Sequence, residues 1–401
     1  MTAVTGCLLM VLFGVCSYDV AFSGFSNSIC MLMASAMIVG IAMFKTGVAS
    51  WVGNLAIRFS GGKEKKLLFW MCVIGGLLSM FFANTAIIAV FIPIIESVAE
   101  ESGGKISRLR LVLPMALAVM IGGASTLVGC TPQLTANGIL KSLTGEEMTM
   151  WTLTAPAACI FLLYLLYVSL AGDWIGRRVF QGRTGKSMEH SAHTVGRFPN
   201  RAARRKAALM VVILIFMIAS YMIGWIPVTY TAMISAICCI VTGCCSVKDV
   251  VRELQWETVV FLASCLGLAE ALTVSGAGER IGFLVSALLG EVHSPFIIFA
   301  AVVLLTLVLS QFITNSTAII ISLPIGFSLC AACGMQFLPL CIGVTLAASV
   351  ACCTPLAAAQ ITMTQVAGYA FSDYLRYCFL PSVIMYVGIL LFVPLFYPLT
   401  G

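Results

Sequence analysis

Long apolar segments separated by short polar ones run through the chain, and most are long enough to cross a lipid bilayer. A bilayer-spanning helix needs roughly 20 predominantly apolar residues. Charged residues make up only 9% of the sequence, against about 25% in a soluble domain. The alternating pattern of a membrane barrel is absent, so the segments predict helices. The sequence therefore predicts an all-α polytopic membrane protein.

Residues 81–94 and 312–325 repeat one motif at a fixed offset. Each copy sets an amide and a hydroxyl inside otherwise apolar sequence, where such groups cost free energy unless they are hydrogen-bonded. A single amide and hydroxyl of this kind usually hold neighbouring membrane helices together. The duplication of the motif instead favours a functional site. The motif residues are Asn84 and Thr85 in the first copy and Asn315 and Ser316 in the second.

The first copy lies in residues 67–99, which are too long for one crossing and too short for two crossings with a turn. Both flanks are polar and contain cations. A re-entrant hairpin resolves the conflict, since the chain then turns at Asn84 and Thr85 at mid-membrane depth and returns to the same side. Residues 295–330 predict a second hairpin. Non-helical backbone at that depth must be covered by protein or by a water-filled cavity.

Two other segments predict transmembrane helices that are broken. Residues 111–140 contain three glycines, three hydroxyl residues and a proline between positions 122 and 132, which a continuous helix does not accommodate. Residues 335–367 are interrupted at 351–355. Each break contains a Thr-Pro pair, which is either a simple kink or, as the glycines favour, part of a site. The pairs are Thr131 and Pro132, and Thr354 and Pro355.

The longest polar segment, residues 172–206, separates two halves at 1–171 and 207–401. With this basic linker in the cytoplasm of a cell (inner) membrane, only Lys141 and Arg280 of the 22 Lys and Arg lie outside. The first hairpin then opens to the cytoplasm and the second to the exterior, so the halves form an inverted repeat. The second half also has an extra leading segment, so either a first-half helix is lacking or the start lies further upstream.

An inverted repeat with a broken element in each half is typical of a secondary transporter with a site at the bilayer midplane. Helix N-termini at the tips and breaks can hold an anion. No Lys or Arg falls deep in a predicted span, so the anion depends on helix ends, amides, hydroxyls and co-bound cations. The candidate substrate-binding residues are Asn84, Thr85, Thr131, Pro132, Asn315, Ser316, Thr317, Thr354 and Pro355.

These motifs resemble those of the divalent anion–sodium symporter family of the ion transporter superfamily. That family carries Ser-Asn-Thr at each hairpin tip and a Gly-Thr-Pro-Pro-Asn-like break. Here residues 83–85 read Ala-Asn-Thr, 314–316 read Thr-Asn-Ser, and both breaks lack the second Pro and the Asn. The resemblance implies symport of a dicarboxylate, citrate or sulfate with sodium, and a homodimer in which the hairpin domain moves against a scaffold.

Sodium coupling requires several oxygen ligands and no titratable group, and the two tips and two breaks offer such oxygens. Proton coupling is the alternative, with Glu270 as the plausible carboxylate outside these segments. One predicted sodium site draws on Asn84, Thr85, Ser125 and Thr131, and its mirror image on Asn315, Ser316, Thr317 and Thr354. The signatures and breaks add Ala83, Gly129, Thr314 and Cys353 as sodium candidates.

Other classes of function fit the sequence less well. An enzyme is disfavoured, since the chain lacks a His-Glu-x-x-His motif and any Ser/His or paired-carboxylate constellation. The net charge of +6 is explained by cytoplasmic loops, so no nucleic-acid partner is expected. The 17 cysteines read as small buried thiols, so no transition metal or cofactor is expected. A proton-coupled transporter or antiporter and an uncoupled anion channel stay open.

Overall fold

The computed structural model describes residues 2–61, 63–102, 106–180, 201–275, 294–355 and 358–400. Within these ranges the chain is almost entirely helical and contains no β-strand. The prediction of an all-α fold is confirmed. The helices are α1 Thr2–Leu12, α2 Tyr18–Ala21, α3 Ser28–Lys45, α4 Val48–Ser60, α5 Glu64–Ser79, α6 Asn84–Glu101, α7 Arg108–Gly123, α8 Thr131–Thr144, α9 Thr154–Tyr167, α10 Asp173–Val179, α11 Arg201–Ile223, α12 Val228–Val241, α13 Val247–Glu253, α14 Trp256–Val274, α15 Pro295–Leu309, α16 Asn315–Cys333, α17 Phe337–Ser349, α18 Ala359–Thr364 and α19 Phe371–Phe396.

Four of the described helical stretches are long and apolar enough to cross a membrane: Ser28–Lys45, Thr154–Val179, Arg204–Ile223 and Phe371–Phe396. The second of them is not one uninterrupted α-helix, because a π-helical turn at Val168–Gly172 joins α9 to α10. Near the start of the chain, α1 ends at Leu12, and Gly14 follows with a positive φ of 70°.

The first predicted hairpin is formed by α5 and α6, which are joined by residues 80–83. The turn therefore precedes Asn84, which is the first residue of α6, and the prediction that Asn84 and Thr85 form the turn is wrong. The second hairpin repeats this arrangement, with residues 310–314 between α15 and α16 and Asn315 opening α16. The first backbone N–H groups of a helix lack intrahelical partners, so each returning helix presents its donors at the tip.

The two predicted helix breaks lie between α7 and α8 and between α17 and α18. Their Thr-Pro pairs are not structural counterparts. Thr131 is the first residue of α8, whereas Thr354 precedes the start of α18 at Ala359. The counterpart of Thr354 is Thr126, because each donates its hydroxyl to a backbone carbonyl just after the first helix of its own hairpin. The acceptors are Met80 O and Gln311 O.

Packing brings each hairpin together with both breaks. In the first half α5 lies directly along α7, and a Cβ on Gly122 would overlap the backbone of Gly76. Such close backbone contact is usual where small residues line a helix interface in membranes. The halves also interlock, since α8 packs against α16 and α17 of the second half while α18 packs against α6 and α7.

Contacts at the ends of the helices join residues that the predicted topology places on one side of the membrane. On the predicted cytoplasmic side, the Arg110 guanidinium lies 3.0 Å from the Glu64 carboxylate, so the two flanks of the first hairpin meet. On the predicted outer side, the Tyr397 hydroxyl donates to Thr152 O at 2.8 Å. The glycine-rich residues 276–290 and most of the linker at 172–206 fall outside the described residues.

Candidate functional site

A cavity of about 730 Å³ lies where the two hairpin tips meet the first helix break. It also contacts α3, the start of α14 and the start of α18. The sequence-predicted site residues that line it are Ala83, Asn84, Thr85, Gly129, Thr131, Pro132, Thr314, Asn315 and Ser316. Residues from both copies of the motif, 231 positions apart, therefore share one compartment.

At the first tip, Asn84 is held on both ends of its amide. The Ser79 hydroxyl donates to Asn84 Oδ1, and Asn84 Nδ2 donates to Cys130 Sγ at 3.3 Å. The amide also lies against Gly123, where any Cβ would overlap Oδ1. Asn84 is 3% exposed, so these contacts satisfy a polar group that the membrane interior would otherwise penalise.

At the second tip, the corresponding serine and asparagine lack such contacts. Asn315 Oδ1 and Ser310 Oγ are both buried and have no hydrogen-bond partner in the described part of the chain. Ser310 stands five residues before Asn315, as Ser79 does before Asn84. The backbone N–H of Thr317 donates to the Thr314 hydroxyl at 3.4 Å, and the Ser316 hydroxyl accepts from Thr135 at 3.4 Å.

Some predicted site residues do not line the cavity, and several of their polar groups bond to other parts of the chain. The Ser125 hydroxyl donates to Ile121 O at 3.3 Å. The Cys353 N–H donates to Gln311 Oε1 at 2.9 Å, and the Thr354 hydroxyl donates to Gln311 O. The residues concerned are Ser125, Thr317, Cys353, Thr354 and Pro355.

The structure adds cavity residues that the motifs did not indicate. Gln255 donates from Nε2 to the Thr85 hydroxyl at 3.4 Å, so the segment before α14 reaches the first hairpin tip. Nothing in the local sequence marks this segment as part of a site. The serines at 79 and 310 could have been found, because they repeat at the motif offset. The further lining residues with polar side chains are Cys130, Gln255, Trp256, Glu257, Thr258 and Gln360.

The charge distribution of the cavity is uneven. The N-termini of α6, α8 and α16 all face it, and each contributes partial positive charge. Among its lining residues there is no Lys, Arg or His, and the only carboxylate is that of Glu257. Glu270, considered as a proton carrier, lies further along α14 and does not line the cavity.

The α13 segment before Glu257 is tied to α3. Lys45 Nζ lies 3.4 Å from Asp249 and 2.5 Å from Glu253. The Ser246 hydroxyl and backbone N–H, together with Lys45, hold the pKa of Asp249 at about 2. These contacts stabilise the segment that carries Gln255 and Glu257 at the edge of the cavity.

A family model described as the citrate transporter matches residues 1–301 of the chain. The chain belongs to the citrate transporter family. This result confirms the resemblance to anion transporters, and it confirms at the level of the family that the protein is not an enzyme. It also identifies the chain as a multi-pass membrane protein.

Individual relatives of this citrate transporter family member match over different lengths. An uncharacterized transporter of Synechocystis is 31% identical over 170 residues, covering 42% of this chain and 28% of that protein. The sodium-dependent dicarboxylate transporter SdcS of Staphylococcus saprophyticus is 24% identical over 368 residues, covering 83% and 69%. The chain thus spans less than a third of the first relative and about two thirds of the second.

Among solved structures, the fold is similar to that of the YdaH transporter of Alcanivorax borkumensis. The TM-score is 0.68 at 16% sequence identity, over 98% of this chain and 90% of that chain. At this identity the similarity establishes a shared fold.

Proposed function

We propose that this protein is a secondary active transporter that carries a small divalent anion, of the dicarboxylate, citrate or sulfate class, together with sodium. The observation that carries the proposal is the convergence of both hairpin tips on one cavity. Substrate sites of secondary transporters form where discontinuous helices of two repeats meet. The name of SdcS, a sodium-dependent dicarboxylate transporter, supports the same class.

The anion would be held by helix ends and neutral side chains. The first turns of α6, α8 and α16 offer unpaired N–H groups and positive dipole ends. Hydroxyls and amides from Thr85, Asn84 and Ser316 lie beside them. No cationic side chain lines the cavity, so a co-bound cation would help to offset the charge of a dianion.

Sodium would bind where buried oxygens lack partners. Ser310 Oγ and Asn315 Oδ1 are both buried and unpaired among the described residues, and neutral oxygens of this kind suit a hard cation such as sodium. A buried unsatisfied polar atom costs about 1–3 kcal/mol, and a bound cation would remove that cost. The matching pair, Ser79 and Asn84, would form the second sodium site after the Ser79 hydroxyl turns away from Asn84.

The cavity supports an alternating-access cycle. Its rim is formed by the start of α14, which the predicted topology places on the cytoplasmic side, so this conformation is open to the inside. We further propose that the halves form an inverted repeat, that the protein is a homodimer in the cell (inner) membrane, and that residues 172–206 are cytoplasmic.

Uptake into proteoliposomes tests the coupling. With an inward sodium gradient at equal pH, we expect concentrative uptake of radiolabelled succinate, citrate or sulfate, and no uptake under a pH gradient without sodium. Asn315→Ala should abolish uptake. Asn137→Ala is a matched control, because Asn137 is a buried amide on α8 that accepts from Met148 N and does not line the cavity.

The result has clear alternatives. Concentrative uptake only under the pH gradient, lost on Glu270→Gln, would assign the protein to a proton-coupled branch. Downhill flux that depends on neither gradient would indicate an anion channel. Full activity of Asn315→Ala would remove the hairpin tip from the site.

A further inference from the structure

The cavity carries one formal charge on its described lining, and that charge is negative. Glu257 lines the cavity together with Gln255, Trp256 and Thr258, and no Lys, Arg or His lines it. A carboxylate beside the path of an anion opposes its binding, so its presence in a proposed anion site calls for a physical explanation.

Glu257 belongs to a segment that reaches the site directly. Gln255, two residues earlier, donates to the Thr85 hydroxyl at 3.4 Å, and the Thr258 hydroxyl donates to Gln255 Oε1 at 3.4 Å. The carboxylate itself is solvent-exposed, in the first turn of α14. It therefore lies at the rim, while the three helix N-termini lie at the hairpin tips and the break.

The N-terminus of α14 also lies at the rim, where its partial positive charge of about half a unit offsets only part of the Glu257 charge. The rim is therefore negative and the hairpin tips are positive. Partial positive charge from α6, α8 and α16 attracts carboxylates at the tips. At the rim, Glu257 repels whatever part of the ligand points outward. Glu257 and a bound anion would share one cavity of about 730 Å³, and salt screens charges over a Debye length of about 8 Å at physiological ionic strength, so the repulsion would be only partly screened.

We propose that Glu257 is a specificity-determining residue, which makes the site prefer dianions to trianions of the same size. The inference rests on the proposed function and narrows its substrate class to dicarboxylates over tricarboxylates. Its physical basis is that repulsion grows with each added ligand charge, while the helix ends accommodate the first two. Specificity obtained by disfavouring the wrong ligand is a common device in binding sites.

Glu257 also has a structural role that must be separated from this one. An acidic residue in the first turn of a helix interacts favourably with the helix dipole. Replacing it would lower the stability of α14 whether or not it faces a ligand. A loss of stability weakens binding of all ligands alike, whereas a charge filter changes the ratio between ligands of different charge.

The experiment measures that ratio by calorimetry on purified protein at one fixed sodium concentration, with ionic strength raised only by choline chloride, at a pH where all ligand carboxyls are ionised. The probes are glutarate and tricarballylate, which differ by one carboxylate on the same carbon chain. We expect Glu257→Gln to lower the ratio of the tricarballylate Kd to the glutarate Kd about two- to fivefold at low ionic strength. The change should shrink towards none in high salt.

Two further variants act as controls. Glu257→Asp keeps the charge and should keep the wild-type ratio. Glu253→Gln makes the same charge change in the same segment, but Glu253 pairs with Lys45 and does not line the cavity, so the ratio should stay within about twofold of wild type.

Two outcomes overturn the inference in distinguishable ways. If both anions bind and Glu257→Gln leaves the ratio unchanged, the charge filter is wrong while the proposed function stands. If neither anion binds the wild-type protein, with or without sodium, the proposed function fails for carboxylate substrates and the inference fails with it.

Discussion

The two hairpin tips carry the same sequence pattern and differ in their hydrogen bonds. At the first tip, Ser79 donates to Asn84 Oδ1, and Asn84 donates to Cys130 Sγ at 3.3 Å. At the second tip, Ser310 Oγ and Asn315 Oδ1 are buried without partners among the described residues. The polar side chains of the first tip are hydrogen-bonded within the protein, whereas the second tip has two oxygens available for a ligand.

This difference bears on the order of cation binding. A buried polar atom without a partner costs about 1–3 kcal/mol, so the second tip gains that free energy when a cation arrives. At the first tip a cation must first displace the bond between Ser79 and Asn84. We therefore expect the second tip to have the higher sodium affinity.

The largest expected effect is on the sodium response. Asn315→Ala should raise the sodium concentration needed for half-maximal thermal stabilisation about 10- to 100-fold, since interactions with charged groups contribute about 1.5–3 kcal/mol. Asn84→Ala should raise this sodium concentration less. In the wild-type protein, sodium binding at the first tip must first break the hydrogen bond between Ser79 and Asn84, so the net contribution of Asn84 to sodium binding is smaller. A fluorescence melting curve against sodium concentration measures both.

Asn137→Ala is the control for the sodium response. It should lower the melting temperature and leave the sodium midpoint within about twofold, since Asn137 bonds Met148 N at 2.6 Å away from the cavity. Equal midpoints for Asn315→Ala and wild type would show that the second tip holds no cation.

A smaller effect is expected from Gly123→Ala. A Cβ there overlaps Asn84 Oδ1 and crowds Ser79 Oγ, so the substitution should reduce the free energy of unfolding by about 1–3 kcal/mol. Gly123 lies three residues before Thr126, and the equivalent position before Thr354 is Ala351. The second tip therefore already accommodates a Cβ there, and the need for glycine is confined to the first tip. Equilibrium unfolding in detergent measures the change.

Gly40→Ala is the matched control, because a Cβ at this helical position meets nothing within 4 Å. It should stabilise α3 by up to about 1 kcal/mol through helix propensity. If both glycine variants changed stability in the same direction, close packing of the first tip against Gly123 would be refuted.

The smallest effect separates the two serines in sodium-free buffer. Ser79→Ala removes a made hydrogen bond and should cost about 1 kcal/mol. Ser310→Ala removes a hydroxyl that has no partner among the described residues, so it should not destabilise the protein and should relieve the penalty of an unsatisfied buried oxygen. Unfolding curves compare the pair, and adding sodium should reveal a deficit in Ser310→Ala. Equal costs without sodium would mean that the two tips are hydrogen-bonded alike.

Much of the site could be predicted from the sequence, because the signals are local. Segment length and the duplicated motif predicted the hairpins, and both Asn84 and Asn315 line the cavity. The match of Thr131 with Thr354 failed, because a shared dipeptide does not determine which hydroxyl reaches a carbonyl. Ser79 and Ser310 were recoverable from the repeat offset.

The sequence by itself determined that the chain is helical, lies in a membrane, turns back twice and breaks twice. Hydropathy, helix breakers and length act within one segment, so they can be read from it. Only the tertiary structure decided that Asn84 is paired while Asn315 is not, and that Glu257 faces the cavity. Hydrogen bonding and burial depend on packing between segments far apart in the chain, which no local pattern encodes.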